Sequence, residues 1–371
     1  MNRNHPLAYW LALYHTPSVG AMTFHKLLEL FATPQAVFAN RNSPEIRPKL
    51  RENLAKSDWT AVAKDLHWLE KENNHIINIQ DPAYPQRLKN ISNPPPLLFA
   101  HGNVELLNQA QLAIVGSRNP TRRGEETCLD FAQYLSSIGL VITSGLAIGI
   151  DANAHRGSLN VSGRTIAVMG TGLDIVYPAR HRNLAHQIAK NGVLVSEFCT
   201  GTPARAQHFP SRNRIISGMS AGVLVVEATV KSGSLITARE ATEQGRDVFA
   251  IPSSIHNPLA KGCHLLIKQG AKLVECAQDI VEELPFQVEI DTQTPIQQAV
   301  ITDTPPPNNE TTLDGDYQHM LGYMGIDEPI SIDALVDLCQ LDVSSISSML
   351  LVLELKGQVS SQAGGLYMRR G

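Results

Sequence analysis

From Gln111 to Glu275 the chain alternates short, uniformly apolar runs with longer segments of helical period. QLAIVGSR, LVITSG, RTIAVMG, VLVSEF, AGVLVVEAT, DVFAIP and KLVE are rich in Val and Ile, and most end in Gly, Ser or Pro. Between them lie GEETCLDFAQYLSSIG, HRNLAHQIAKNG and LITAREATEQG, each closed by a glycine as helices often are. Strands apolar on both faces, alternating with helices, predict an α/β fold with a doubly wound, mainly parallel sheet.

The flanks read differently. The first 72 residues are helical in pattern, with Pro17-Ser18-Val19-Gly20 between two apolar-periodic stretches, a tight helical hairpin. Such a hairpin either connects helices in a small bundle or offers backbone N–H groups to a DNA phosphate. Residues 81–103 are too rich in proline for a helix and predict an extended strap. Residues 287–315 lack periodicity and predict a flexible linker. EPISIDALVDLCQL and DVSSISSMLLVLELKG predict two helices and QVSSQAGGLYMRR a hairpin, together a winged-helix-like module. The predicted organisation is a helical domain over 1–80, an α/β core over 81–286, a linker over 287–315 and a winged-helix-like domain over 316–371.

Composition narrows the function classes. At 371 residues, 43% hydrophobic and 18% charged, the chain is of ordinary globular type. No window approaches the roughly 18 apolar residues of a membrane span. The apolar start lacks a small-residue cleavage site and reads as a first helix, so a cytoplasmic protein is expected. Five cysteines, without CxxC spacing, predict reduced thiols rather than disulfides or zinc, and the histidines form no metal-spaced set. Charge is uneven: residues 1–110 carry 11 basic and 9 acidic side chains (+2), 111–284 carry 17 and 14 (+3), and 285–371 carry 3 and 12 (−9). A polyanion would meet the first two regions, and the acidic tail suits protein contact better than DNA.

The candidate chemistry falls at predicted strand ends, where open parallel sheets bind ligands. After the first strand comes Gly116-Ser117-Arg118-Asn119, where backbone, hydroxyl and a forked cation can meet an anion. After the second come Gly145 and Gly149, and Asp151 reads as a helix cap. After a later strand, Lys231 precedes Ser232-Gly233-Ser234, an anion nest opening a helix that carries Thr237. Lys261-Gly262 opens another. HFPSRNRIIS (208–217) puts Phe209, Arg212, Asn213 and Arg214 on a turn that opens a helix. Either Pro210 merely starts that helix and the arginines are solvated, or a ring and a cation pair receive an unstacked base and its phosphate. Each turn alone could be a plain strand-to-helix connection. Four of them with five cations exceed what one mononucleotide uses, which favours an oligonucleotide. GTGLDI (170–175) lacks the third glycine of a dinucleotide fingerprint, and no P-loop is present. No acid–base pair stands out, so no catalytic residue, cofactor or metal is expected.

AIVGSRNPT, TSGLAIGIDANAH, MGTGLDIVYP, HFPSRNRIISGMS and SGSLITAREATEQGRDVFAIP, in this order, resemble the DNA processing protein A (DprA/Smf) family over residues 81–284. The resemblance implies an extended Rossmann-like core, a sterile-alpha-motif-like (SAM-like) helical domain in front and a winged-helix-like domain behind. It implies single-stranded DNA binding, a homodimer through the core, and loading of the RecA recombinase onto DNA entering in natural transformation. Matched residue by residue, it assigns DNA contact to Arg118, Phe209, Arg212, Arg214 and Lys231. A second resemblance, to nucleoside-monophosphate phosphoribohydrolases of the lysine-decarboxylase-like group, rests on Thr237 and Glu240. It departs at Ser232, Ser234 and Ile236, where the loop becomes crowded.

Overall fold

The computed structural model describes residues 3–284, then 315–325, 329–339, 341, 343–355, 358–362 and 366–369. The chain forms two compact units, Met1–Thr294 and Pro295–Gly371. Most of the predicted linker, up to residue 314, lies outside the described residues.

Unit one begins with five helices: α1 (Ala8–Tyr14), α2 (Ala21–Phe31), α3 (Pro34–Ala39), α4 (Pro48–Ala55) and α5 (Trp59–Leu69). Then follow β1 (Asn74–Asn78), α6 (Gln86–Lys89), β2 (Leu97–Gly102), β3 (Gln111–Val115), α7 (Arg122–Ser137), β4 (Val141–Ser144) and α8 (Ile150–Asn160). Next come β5 (Thr165–Val168), α9 (Arg182–Asn191), β6 (Val193–Ser196), α10 (His208–Met219), β7 (Gly222–Val225) and α11 (Gly233–Glu243). β8 (Asp247–Ala250), α12 (Lys261–Lys268), β9 (Lys272–Leu273) and α13 (Ala277–Glu283) complete it.

One nine-stranded sheet orders these strands β1-β2-β6-β5-β4-β3-β7-β8-β9. From β6 to β9 every neighbour is parallel, while β1 and β2 form an antiparallel margin beside β6. Every residue of β3, β4, β5, β6 and β7 is buried, as continuous apolar runs in a two-faced sheet require. α7 shows the matching helical logic. Thr121 caps it by accepting the Gly124 N–H at 3.0 Å, and Cys128, Phe131, Ala132 and Leu135 form its buried stripe.

The segment expected to be a strap is partly a strand. Its prolines end at Pro96, and the apolar run LLFAHG that follows pairs with both β1 and β6. Fully buried Phe99 on β2 packs against Trp68 of α5 at 5.7 Å between ring centroids, joining the helices to the sheet. β1 also pairs within the sheet although it precedes residue 81.

Unit two contains α14 (Gly315–Gly322), β10 (Ile330–Ser331), α15 (Ile332–Cys339), α16 (Val343–Leu355), β11 (Val359–Gln362) and β12 (Leu366–Arg369). Its strands form an antiparallel sheet ordered β10-β12-β11. The two helices and hairpin expected for a winged-helix module are present, over a core that includes Met320, Leu335, Ile346 and Leu353.

His155 on α8 is fully buried and hydrogen-bonded to Thr165 Oγ1 at 2.7 Å. Burial, then His181 and Arg212, pulls its pKa down to about 3. The unfolded imidazole titrates near 6.5, so between about pH 6.5 and 3 the unfolded chain carries a proton that the folded one does not. This contribution is complete above about pH 6.5 and is lost as pH falls, at ~1.4 kcal/mol per pH unit. His155→Gln should remove that increment from the pH dependence of urea unfolding. An unchanged slope between about pH 7 and 5 would contradict it.

Candidate nucleic-acid interface

The chain leaves β3 for β4 on one side, whereas β7, on the other side of β3, leads outward to β8. Loops after β3 and β7 therefore diverge and open a crevice at the carboxyl ends of the strands. It measures about 760 Å³. Of the sequence-selected residues it gathers Gly116, Ser117, Arg118, Asn119, Phe209, Arg212, Asn213, Ser232, Gly233, Ser234 and Thr237.

The loop after β3 is rigidly held. Ser117 accepts the Ile150 N–H on its carbonyl at 3.1 Å and the Asn119 N–H on its hydroxyl at 3.1 Å. Arg118 is exposed and makes no hydrogen bond or ion pair among the described residues. Its guanidinium carbon stands 5.9 Å from the Phe209 ring centroid. Phe209 also lies 5.5 Å from the ring of Tyr177, which is 50% exposed. On the opposite wall Ser232 caps α11, accepting the Ser234 N–H at 3.3 Å, and the two hydroxyls are 2.7 Å apart. Asn213 donates its amide to Gly233 O at 3.4 Å. A free guanidinium and a hydroxyl-rimmed helix N-terminus thus face one space, an arrangement suited to phosphate.

Sequence reasoning missed three residues here. Glu227, 5% exposed, accepts the Thr121 N–H and O–H at 2.8 and 2.7 Å and the Asn257 amide at 3.3 Å. It ties together the loops after β3, β7 and β8. Tyr177 and exposed Arg205 also line the crevice. Only Glu227 had a local signal, its place at the end of an apolar run.

The two arginines of HFPSRNRIIS differ from expectation. The helix starts at His208, so both sit on α10 itself rather than on a preceding turn. Arg212 is 4% exposed and donates from Nη1 to Gly145 O at 2.7 Å and to Val168 O. Burial lowers its pKa to about 10, against the attraction of Asp151. Asp151 is not a cap for its own helix. It accepts from Gly145 N–H at 3.1 Å and Ala147 N–H at 3.4 Å, and burial pushes its carboxyl up while Arg212 and these donors hold it down. Arg214 points elsewhere, into an ion pair with Glu197, whose backbone carbonyl accepts the Tyr14 hydroxyl.

Gly145 lines the guanidinium rather than the crevice. Lys231 is exposed on a neighbouring cavity between α11 and α12, and Lys261 is exposed at the start of α12; neither lines the crevice. Thr237 lines it, but Glu240 faces another cavity with Arg214 and Glu197. The pair needed for the phosphoribohydrolase reading is therefore split, and that reading is not favoured.

The model of DNA recombination-mediator protein A matches residues 75–285. The chain belongs to that family. The DprA winged helix domain matches residues 304–365, in agreement with the second unit. Among DprA/Smf relatives, protein Smf of Escherichia coli K12 is 42% identical over 310 residues, 83% of this chain and 81% of the relative. Protein Smf of Synechocystis is 35% identical over 99% of this chain and all of its own length. The crystal structure of Streptococcus pneumoniae DprA superposes with TM-score 0.68 at 38% identity, covering 75% of this chain and 98% of that one. DNA processing protein A from Helicobacter pylori, a protein with a described single-stranded DNA binding mode, gives TM-score 0.50 at 29% identity over 53% and 91%.

A Cβ on Gly145 would stand 2.6 Å from the Arg212 guanidinium carbon. Gly145→Ala should destabilise unit one by ~1–3 kcal/mol, as overpacking of a filled site does. A melting temperature equal to wild type would show that Arg212 is free to move.

Proposed function

We propose that the crevice binds single-stranded DNA and that the protein acts as a recombination mediator. One observation carries this reading: Arg118, exposed and unpaired among the described residues, stands over Phe209 beside the N-terminus of α11. The phosphates meet Ser117, Arg118, Asn119 and the Ser232–Ser234 nest, with Asn213 at the edge. An unstacked base lies against Phe209 and Tyr177. Lys231 and Lys261 attract flanking strand from outside the crevice. Arg212 and Arg214 hold α10 in place instead of touching phosphate. Duplex DNA, whose bases offer no free faces, binds less well.

The finer reading follows the resemblance to DprA/Smf proteins. In it the protein is a homodimer through the core and loads RecA onto DNA entering in natural transformation. It works in the cytoplasm, where its free cysteines stay reduced. No described helix is long and apolar enough to cross a membrane. The role needs no covalent step and no catalytic residue.

Titrating a labelled oligonucleotide at several salt concentrations tests the site. Arg118→Ala should weaken binding and make the salt slope shallower by about one contact. Phe209→Ala should remove ~1–3 kcal/mol with the slope intact, since stacking is not a phosphate contact. Equal affinity for duplex and single strand would overturn the proposal. Arg214→Gln separates support from contact: it should lower the melting temperature yet leave the salt slope at the wild-type value.

A further inference from the structure

Away from the crevice, three metal-ligating side chains converge from distant parts of unit one. His15 follows α1, Asp65 lies on α5, and Cys199 stands in the loop after β6. One donor atom of each lies within 4.8 Å of the other two, the only such group of His, Cys, Asp or Glu among the described residues. His15 Nε2 is 2.7 Å from Asp65 Oδ2. Asp65 is 1% exposed, and its other oxygen accepts the Thr200 N–H at 3.2 Å and hydroxyl at 2.6 Å. This second set of bonds fixes the carboxylate with one oxygen left for the cluster, as outer-shell partners do at metal centres.

We propose that His15, Asp65 and Cys199 bind a zinc-class divalent cation that clamps the N-terminal helices to the loop after β6. A nitrogen, an oxygen and a sulfur donor suit a borderline ion such as zinc, and three protein ligands leave the fourth tetrahedral position to water. Bonds of ~2.0–2.3 Å put ligand atoms about 3.3–3.7 Å apart on such an ion. The His–Asp pair must therefore open by roughly 0.6 Å and the widest pair close by at most about 1 Å, which side-chain rotation can supply. The cation takes the lone pair of His15 Nε2, whose ring proton then sits on Nδ1. The Cys199 thiol loses its proton to solvent as the metal–sulfur bond forms. Nothing is oxidised or reduced. The ligands are far apart in sequence, so no spacing pattern could announce them.

The test uses the full chain, stripped with a chelator, kept reduced and titrated with Co²⁺. One equivalent should bind with a thiolate-to-cobalt charge-transfer band, which Zn²⁺ abolishes by displacement. Cys199→Ser should lose the band, and His15→Ala should bind at least tenfold more weakly. Cys276→Ser, which removes the exposed cysteine hydrogen-bonded to Asp279, should leave the band unchanged. Zn²⁺ should raise the melting temperature of the wild type but not of Cys199→Ser. Absence of the band from the wild type at millimolar cobalt overturns the proposal without recourse to any variant. So does a band that survives Cys199→Ser.

Discussion

Burying a guanidinium beneath the ends of two strands commits the surrounding backbone to a single arrangement. Arg212 donates to the carbonyls at the ends of β4 and β5, and Asp151, from the start of α8, draws in the N–H groups of the same β4 loop. Such a charge is tolerable only while these partners stay in place, because a buried hydrogen-bonding group left unsatisfied costs about 1–3 kcal/mol, and more when it is charged. Gly145 permits it by lacking the side chain that the guanidinium replaces. Gly149, at φ +81°, lets the loop turn back under Ser117. α10 is thus pinned by its middle, and the residues on either side of Arg212 inherit that fixed position. Phe209 and Asn213, four apart, share a face and enter the crevice together.

The crevice itself is a matter of topology before chemistry. Chain reversal between β3 and β7 opens the space, and the helices that follow these strands begin at its rim. A carboxylate near this rim would repel phosphate, yet Glu227 sits there. Its charge is consumed inwardly by two Thr121 donors and the Asn257 amide. What remains outward is the Arg118 guanidinium, with exposed Arg205, and the dipole of α11. The electropositive character of the face thus comes from which charges are buried as much as from which are displayed.

Most of the frame was legible from residue pattern. All seven runs of Val and Ile became strands, and the helix openings at Thr121, Ser232 and Lys261 stand where glycine and hydroxyl residues suggested. β2 escaped because proline density concealed the apolar run after Pro96. The arginines escaped for a more instructive reason. Residues two apart on a helix point some 200° from each other, so Arg212 and Arg214 could both face one ligand only if they preceded the helix. Starting α10 at His208 settles the matter: one goes under the sheet ends, the other to Glu197. The pairing of Tyr177, in the loop after β5, with Phe209 of α10 left no sequence trace.

That opposed pair gives α10 a second role. Through Arg214 and Glu197 it reaches Tyr14 at the end of α1, and through Arg212 it reaches the loops that carry the crevice. The first attachment is a buried ion pair and the second a buried guanidinium held by backbone carbonyls; both resist sliding more than apolar contacts do, because misplacement leaves a buried charge without its partners. Any displacement of Phe209 in the crevice therefore pushes against the anchor of the N-terminal helices. The helices, in turn, restrict how far the crevice wall can yield. The two ends of this coupling are joined by a single turn of one helix.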